Sequence, residues 1–318
     1  MYHSRAALFL TQAAAILPFC LGATYSRTSH VVGHSFYDNF FWEDAPDPTH
    51  GRVNYLNKET SRALNITYAS EDSFFIQADA TTTLTPWGPG RNSARIVSKK
   101  SYTTHVAVFD VKHMPEGCGT WPAIWETSLG PWPAGGEVDL LEGVNNQTPN
   151  TYVMHTSPYC MMPPGRPMSG ISTSDNCDVF STGFSGCGTR DTRLNSFGPP
   201  FNANGGGWYA LERAGTFKKI WFWPRDDPSV PADVVSGGAA VNTDSWGLPA
   251  AYYPDDLCDF ATHFAEHNIV INLTFCGDWG GNAYPGSGCP STCFDFVNDN
   301  PASFGNAYFD IKSVNVYE

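Results

Sequence analysis

"GGEVDLLEGVNNQ", residues 135–147, places three carboxylates, Glu137, Asp139 and Glu142, in a run whose apolar residues are typical of a buried strand. Side chains alternate along a strand, so Glu137 and Asp139 share one face while the apolar residues between them fill the other. Glu142 is out of step by one residue. One extra residue, a β-bulge between Leu140 and Glu142, would return Glu142 to the face of the other two acids.

Short β-type runs recur on both sides of this stretch, and most are bounded by Gly, Pro, Asn or Asp. The runs are "HVAVFDV" (105–111), "GEVDLLEGV" (136–144), "TYVMHTS" (151–157), "GWYALER" (207–213), "KKIWFW" (218–223), "NIVINLTF" (268–275) and "AYFDIKSVNVYE" (307–318). Many strands separated by turn signals predict an all-β sandwich of the jelly-roll kind. Residues 259–267 and 300–307 are each predicted to hold a short helical turn.

The amino-terminal residues carry one basic residue, a short apolar stretch broken by Gln12 and Pro18, and then small residues. This pattern predicts a secretory signal peptide, residues 1–23, with cleavage near Ala23 and a secreted, extracellular product. A retained membrane anchor is the alternative, but no second hydrophobic span follows. Residues 24–318 show no linker, repeat or appended module, which predicts a single domain.

Nine cysteines are present, and Cys20 lies in the predicted signal peptide. The even number that remains, in an oxidising compartment, predicts up to four disulfides. Eight cysteines allow 105 pairings, so the sequence leaves the connectivity open. A zinc site is disfavoured because no pair has C-x-x-C spacing and no histidine cluster lies beside the cysteines.

The formal net charge is −13 and 15% of the residues are charged. This charge argues against nucleic acid, anionic membranes and sulfated or uronic polysaccharides as partners, and favours a neutral ligand. Three sequons predict N-glycans at Asn65, Asn146 and Asn272. Asn146 lies close to the acids in sequence, so a glycan there would constrain any cleft around them.

The bulge sets a distance between the two glutamates. They are four strand steps apart, or roughly 13 Å between Cα atoms, and each side chain can lean inward by roughly 4 Å. That leaves roughly 5 Å between the carboxyl groups, the separation in retaining glycosidases, whereas inverting ones need about 6.5–9.5 Å. Like charges so close cannot all ionise, so one carboxyl is expected to keep its proton near neutral pH. Two alternatives are a chance run of acidic residues and a calcium site. The calcium site is disfavoured because the spacing lacks the pattern of an EF-hand loop.

Aromatic residues surround the acids in sequence, namely Trp121, Trp125, Trp132 and Trp279. Flat aromatic faces stack on the apolar C–H faces of sugar rings, so tryptophans beside paired carboxylates indicate a polysaccharide cleft. Any single tryptophan is more often part of a core. His155 falls on the next predicted strand, where it could bond Asp139 or a sugar hydroxyl, or be an ordinary core histidine.

Five motifs together resemble a known family: "GTWPAIWE" (119–126), "GGEVDLLEGVNNQ" (135–147), "MHTS" (154–157), "NGGGWYALER" (204–213) and "INLTFCGDWGG" (271–281). They are similar to the laminarinase branch of glycoside hydrolase family 16, and most closely to endo-1,3(4)-β-glucanases of wood-rot fungi. The resemblance runs from residue 47 to the last strand. The E-x-D-x-x-E core separates this chain from the lichenase and xyloglucan-transferase branches, whose core is one residue shorter.

The resemblance implies a catalytic jelly roll of two curved antiparallel sheets with a concave cleft, and hydrolysis with retention of anomeric configuration. Glu137 matches the nucleophile and Glu142 the general acid and base. Asp139 matches the residue that holds the nucleophile, and His155 matches a histidine of the same site.

The resemblance also assigns residues to substrate binding. Trp121, Trp125, Trp132 and Trp279 match cleft aromatics, whereas Asn54 and Arg95 match polar positions that contact sugars on the non-reducing side. The implied substrates are β-1,3-glucan and mixed-linkage β-1,3/1,4-glucan, and the implied enzyme is a monomer that needs no cofactor and no metal ion. Two rivals are a β-glucan transglycosylase with the same acids and a non-catalytic β-glucan-binding protein, although relatives of the latter kind have lost the acids.

Overall fold

The computed structural model describes residues 23–318. Apart from Ala23, the predicted signal peptide lies outside the described residues. Within them, no helix has both the length and the apolar character required to cross a membrane.

Nineteen strands are formed by the described residues. They are β1 (Thr24–Val31), β2 (Phe40–Trp42), β3 (Val53–Tyr55), β4 (Thr67–Ala69), β5 (Phe74–Gln77), β6 (Arg91–Ser93), β7 (Arg95–Tyr102), β8 (His105–His113), β9 (Thr120–Thr127), β10 (Glu137–Glu142), β11 (Thr151–His155), β12 (Ile171–Ser172), β13 (Cys187–Arg190), β14 (Gly207–Arg213), β15 (Phe217–Pro224), β16 (Ala240–Asn242), β17 (Ala251–Pro254), β18 (His267–Phe275) and β19 (Tyr308–Tyr317). Each of the seven strands predicted from the sequence is present.

The strands form two large antiparallel sheets. The front sheet has eight strands in the order β12-β13-β11-β10-β9-β18-β7-β2, and the back sheet runs β16-β1-β19-β8-β14-β15-β17, with β5 also on β19 and β4 on β5. The predicted all-β fold of two antiparallel sheets is confirmed. A small parallel pair, β3 with β6, was not predicted.

The core lies between the two sheets. Val138, Leu141 and Ile271 of the front sheet and Phe109 and Leu211 of the back sheet belong to one buried cluster, each with no exposed surface. Burying a side chain of this size contributes about 1.5–3 kcal/mol. The polar residues that alternate with the front-sheet residues must therefore point away from the back sheet.

Helices are short and lie in the connections. They are α1 (Phe36–Asn39), α2 (Lys58–Ala63), α3 (Gly198–Ala203), α4 (Ala232–Ser236), α5 (Phe260–His263), α6 (Gly277–Ala283) and α7 (Cys293–Asp299), with 3-10 turns at Gly33–Ser35, Leu194–Ser196, Thr243–Ser245, Tyr284–Gly286 and Pro301–Phe304. The two predicted helical turns are confirmed by α5 and by the turn at Pro301–Phe304. The other helices are too short for an amphipathic period to appear in the sequence.

The eight cysteines that follow the predicted signal peptide form four disulfides. The structure thereby gives the connectivity, which the sequence left open. The pairs are Cys118–Cys289, Cys160–Cys258, Cys177–Cys187 and Cys276–Cys293.

One glycan prediction needs correction. Asn272 lies in β18 with 6% of its surface exposed, and its Nδ2 donates to the hydroxyl of Tyr55 at 3.1 Å. Because this nitrogen is buried and bonded, the folded domain has no room for a glycan on Asn272.

Candidate active site

The bulge in β10 is present and brings the three acids to one face. The register with β9 shifts between Asp139 and Leu141, so Leu140 is the extra residue, one position earlier than predicted. Asp139 pairs with Trp125 before the shift, and Glu142 pairs with Ala123 after it. Trp125 and Ala123 are two residues apart on β9 and so share a face. All three acids therefore point to the outer face of the front sheet.

Asn150 holds the bulge from both sides. Its Oδ1 accepts from the Glu142 N–H at 2.9 Å, and its Nδ2 donates to the Leu140 carbonyl at 2.8 Å. Asn150 is fully buried, and its own N–H donates to the Ser196 hydroxyl at 2.9 Å. Sequence reasoning missed this residue because an Asn after a Pro is read as part of a turn.

Each glutamate is held by the indole N–H of a tryptophan. Trp132 Nε1 donates to Glu137 Oε2 at 3.1 Å, and Trp121 Nε1 donates to Glu142 Oε1 at 2.8 Å. The sequence predicted these tryptophans only as stacking surfaces. A hydrogen bond to the ionised form of a carboxyl favours that form, so the two indoles also affect how the acids share protons.

His155 lies opposite Glu137 in the register of β10 with β11. Its Nε2 is 3.3 Å from Asp139 Oδ2 and 3.6 Å from Glu137 Oε1. The geometry is not that of a hydrogen bond, and Asp139 Oδ2 and His155 Nδ1 are buried atoms without a partner among the described residues. Ligand atoms of these three residues lie within 4.8 Å of one another, close enough for a metal ion. The same closeness serves proton sharing, the chemistry for which the sequence predicted the acids.

Burial and mutual repulsion alter the acidity of the carboxyl groups. Burial raises the pKa of Glu137 from 4.5 to about 8, with a further contribution from Asp139. Burial and Asp139 raise the pKa of Glu142 to about 8 as well, and burial raises the pKa of Asp139 well above its usual range. The side chains of Glu137 and Asp139 are only 13% and 3% exposed. Because the acids titrate as a group, at least one of them keeps its proton near neutral pH.

A line of polar and aromatic residues extends from β10 across β9, β18 and β7. Trp125 Nε1 donates to Asn272 Oδ1 at 2.7 Å, so both the oxygen and the nitrogen of the Asn272 amide are bonded. The Arg95 guanidinium lies 5.0 Å from the Trp125 ring and pairs with Glu43 at 2.5 Å. Asn54 lies further along, on the small parallel pair, where its Nδ2 donates to Asn92 Oδ1 at 2.7 Å.

Trp279 lies beside Trp121, with ring centroids 5.7 Å apart and planes at 88°. Asn145 connects the two segments that carry them, since its Oδ1 accepts from Gly119 N at 2.9 Å and its Nδ2 donates to Gly280 O at 2.7 Å. The structure thus brings Trp279 to the Glu142 end of the site. Asn145, like Asn150, is a positioning residue that the sequence did not reveal.

Comparison with known proteins identifies the family. A family model described as the XgeA-like, catalytic GH16 domain matches residues 40–317. The chain belongs to glycoside hydrolase family 16. A probable endo-1,3(4)-β-glucanase of Aspergillus clavatus is 40% identical over 305 residues, which are 93% of this chain and 46% of the relative. The chain therefore spans about half the length of the curated relatives it matches.

Two solved family 16 structures are also similar. Laminarinase 16A from Phanerochaete chrysosporium, with 6-O-glucosyl-laminaritriose in its donor and acceptor sites, is 57% identical with a TM-score of 0.92, covering 93% of this chain and all of that one. An elongating family 16 β-1,3-glucosyltransferase is 33% identical with a TM-score of 0.86, covering 92% of this chain and all of that one. The predicted family resemblance is confirmed, and these neighbours share the jelly-roll fold.

Proposed function

We propose that this protein is a secreted, retaining endo-1,3(4)-β-glucanase that acts on β-1,3-glucans and mixed-linkage β-1,3/1,4-glucans. The observation that carries the proposal is the Leu140 bulge, which brings Glu137 and Glu142 to one face with an indole N–H on each carboxyl group. The names of the similar proteins support the substrate class. The net charge of −13 also suits a neutral polysaccharide.

The reaction has two displacement steps. In the first, a Glu137 carboxylate oxygen attacks the anomeric carbon while the Glu142 carboxyl gives its proton to the departing glycosidic oxygen. This step breaks the glycosidic bond and forms a glycosyl ester on Glu137. In the second, Glu142 takes a proton from water, whose oxygen attacks the anomeric carbon and releases Glu137. Two inversions give net retention.

The surroundings of the acids support this division of roles. The nucleophile must be ionised, and His155 lies beside Glu137 and Asp139, where a positive charge on its ring would favour their ionised forms. Burial and Asp139 raise the pKa of both glutamates to about 8, so what separates them is His155, whose Nε2 lies 3.6 Å from Glu137 Oε1 and makes no ion-pair contact with Glu142. Asp139 lies between the two glutamates on β10 and raises the pKa of both. The ionisation of one glutamate is therefore coupled to the protonation of the other.

The test is incubation with laminarin and with barley mixed-linkage glucan, following product length and the anomer formed first. Short fragments released as β-anomers from both polysaccharides are expected. Binding without cleavage would move the protein to the class of recognition proteins, and α-anomers would exclude the double displacement. Activity should survive a metal chelator, because no step requires an ion at Glu137, Asp139 and His155.

Added azide separates the roles of the two glutamates. With Glu137→Ala, azide is expected to attack from the face of the missing nucleophile and to yield an α-glycosyl azide from an activated aryl substrate. With Glu142→Ala, the glycosyl ester still forms and azide resolves it to the β-glycosyl azide. The reverse pairing of products would mean that the two roles are exchanged.

Transglycosylation is a second candidate, favoured by the similarity to an elongating β-1,3-glucosyltransferase. The first step is the same, but a sugar hydroxyl replaces water in the second. Products longer than a defined laminari-oligosaccharide substrate would show transfer.

We further propose that the protein is secreted, which the four disulfides support. We also propose glycans at the exposed Asn65 and the half-exposed Asn146. The mass of the secreted protein before and after glycosidase treatment tests both.

A further inference from the structure

Exposed aromatic rings continue from Glu137 onto the loop that precedes β13. The Trp132 ring, whose N–H donates to Glu137, has its centroid 6.2 Å from that of Phe184, with the planes 26° apart. Phe184 in turn meets Phe180 at 6.4 Å and 69°. The exposed fractions are 45% for Trp132 and 62% for each phenylalanine. We call Trp132, Phe180 and Phe184 the aromatic platform.

The loop that carries the two phenylalanines is held in shape. The Cys177–Cys187 disulfide closes it, and Asp178 Oδ1 accepts from the Phe180 N–H at 2.9 Å. The Phe184 N–H donates to the Val179 carbonyl at 2.8 Å.

The backbone at Phe184 has φ +70°. A bulky residue seldom adopts this left-handed conformation, and such strain clusters at functional sites. The Phe184 ring is 62% exposed, so burial offsets only part of that cost. The exposed position of Phe184 therefore requires a reason outside the stability of the fold.

The order of the front sheet places the platform relative to the cleft. Trp125, Asn272 and Arg95 lie on β9, β18 and β7, on one side of β10. The platform loop joins β13, which lies beyond β11 on the other side. Arg95 is predicted from the resemblance to contact sugars on the non-reducing side, and an extended glucan bound there would reach the platform, on the other side of β10, with its reducing-end side.

We propose that the aromatic platform binds the glucosyl units on the reducing-end side of the scissile bond and, once they have left, an incoming β-1,3-glucan acceptor. This inference rests on the proposed function. The platform carries no charge and is continuous with the catalytic site through Trp132. Exposed aromatic faces of this kind stack on the C–H faces of β-linked glucose. A filled platform favours transfer over hydrolysis because it holds a sugar hydroxyl where water would otherwise enter.

The test compares two substrates in the full-length variants Phe184→Ala and Phe180→Ala. An aryl β-laminaribioside has no sugar on the reducing-end side, whereas a long laminari-oligosaccharide extends across it. The ratio of kcat/KM for the oligosaccharide to that for the aryl glycoside is expected to fall about threefold to tenfold. The acceptor concentration that gives half-maximal transfer should rise by a similar factor.

Tyr68→Ala is the matched control. Tyr68 is an aromatic residue of the back sheet, 37% exposed and stacked on Phe75 at 4.3 Å, and its loss should change neither quantity. An unchanged substrate ratio in both phenylalanine variants would overturn the inference. Equal losses on both substrates would also overturn it, because the loop would then act on the catalytic residues and not on bound sugar. If the wild-type enzyme cleaved neither substrate, the proposed function itself would fail.

Phe184→Gly separates the ring from the backbone. Glycine adopts φ +70° without strain, so this variant removes the ring while favouring the loop conformation. It should reproduce the Phe184→Ala ratio with a thermal midpoint at least as high. Recovery of the wild-type ratio in Phe184→Gly would show that loop shape, not the ring, matters, and would contradict the inference.

Discussion

Two clusters of titratable side chains lie on opposite faces of the front sheet. One lies on β10, and the other includes Glu126 of the neighbouring strand β9. The first is the acidic trio, Glu137, Asp139 and Glu142, on the outer face. The second, which we call the inner charge cluster, lies between the sheets and contains His105, Glu126, Arg213, Lys218 and His267, each at most 4% exposed. Glu126 pairs in register with Val138, the residue between two of the acids.

The inner charge cluster sets one carboxylate, Glu126, against basic side chains. Glu126 Oε1 is 2.9 Å from His105 Nε2 of the back sheet, and Arg213 stands between His105 and Lys218 in the register of β8, β14 and β15. The Lys218 ammonium lies 3.3 and 3.4 Å from the centroids of two phenylalanine rings. Burial lowers the pKa of Lys218 well below its usual range, which further reduces the charge that the interior must hold.

The acidic trio lacks this arrangement. Three groups of like sign share one face, and among the described residues only indole N–H groups and the nearby His155 offset them. Opposite charges that face one another across the sheets offset part of the cost of their burial, whereas like charges that repel make protons available for chemistry. The comparison predicts opposite effects of neutral substitutions in the two clusters.

The largest effect is expected for Glu142→Gln. Loss of the acid should reduce the rate on glucan more than about 100-fold, while the fold becomes more stable at pH 8. The folded-state pKa of Glu142 is about 8, above its ordinary 4.5, so the folded state binds more protons and the wild type loses stability as pH rises from about 4.5 to 8. Thermal midpoints at pH 8 and pH 4 test this, and the gain should vanish at pH 4.

Glu71→Gln is the control for that comparison, because Glu71 is exposed on the surface. It should alter neither the rate nor the thermal midpoint. A lower midpoint for Glu142→Gln at pH 8 would contradict the view that the trio destabilises the fold.

Glu126→Ala is expected to act in the opposite sense. Removing the buried carboxylate leaves Arg213 and His105 without the acid that faces them, which costs about 3–5 kcal/mol in the free energy of unfolding, measured by urea unfolding with the disulfides intact. Glu126→Gln keeps an acceptor near His105 and should cost less. Because Glu126 lies on the inner face, the folded fraction should keep a rate within about twofold of wild type. A large fall in kcat at unchanged stability would instead make Glu126 part of the catalytic group.

Asn150→Ala tests whether the bulge positions the acids. Its two backbone bonds hold Leu140 and Glu142, and a displacement of about 1 Å can cost up to about 100-fold in rate. We expect kcat to fall about tenfold or more with KM little changed. Asn202 is a matched control, since its side chain binds both the N–H and the carbonyl of Met114 at 2.9 Å. Asn202→Ala should lose similar stability while kcat stays unchanged, and equal kcat losses in both variants would contradict the positioning role.

The sequence predicted the strands and the acids well because both follow simple periods. Alternation marks β10, and the misfit of Glu142 requires a bulge somewhere between Asp139 and Glu142. The period does not show which residue is extra, because Leu140 and Leu141 are equally apolar and both are buried. The hydrogen bonds of Asn150, the indole hydrogen bonds and the contacts of the inner charge cluster join residues of different strands and loops, and the period of a single strand does not report such contacts.

Trp132→Phe and Trp121→Phe should produce the smallest effects, in opposite limbs of the pH profile of kcat/KM. Each indole N–H favours the ionised form of its glutamate. Its loss should raise the pKa of that glutamate by about one unit, because that is the shift that corresponds to the free energy of one hydrogen bond to a charged group. Glu137 must be ionised, so Trp132→Phe moves the acid limb to higher pH. Glu142 must be protonated, so Trp121→Phe moves the basic limb to higher pH.

Trp125→Phe is the control for both, because its indole donates to Asn272 and not to an acid. It should lower kcat/KM if sugar contacts are lost, yet shift neither limb. If Trp121→Phe moved the acid limb and Trp132→Phe the basic one, the nucleophile and the acid would have to be exchanged. That outcome would leave the inner charge cluster unchanged, since the contrast between the two faces depends on where the charges lie and not on which glutamate attacks.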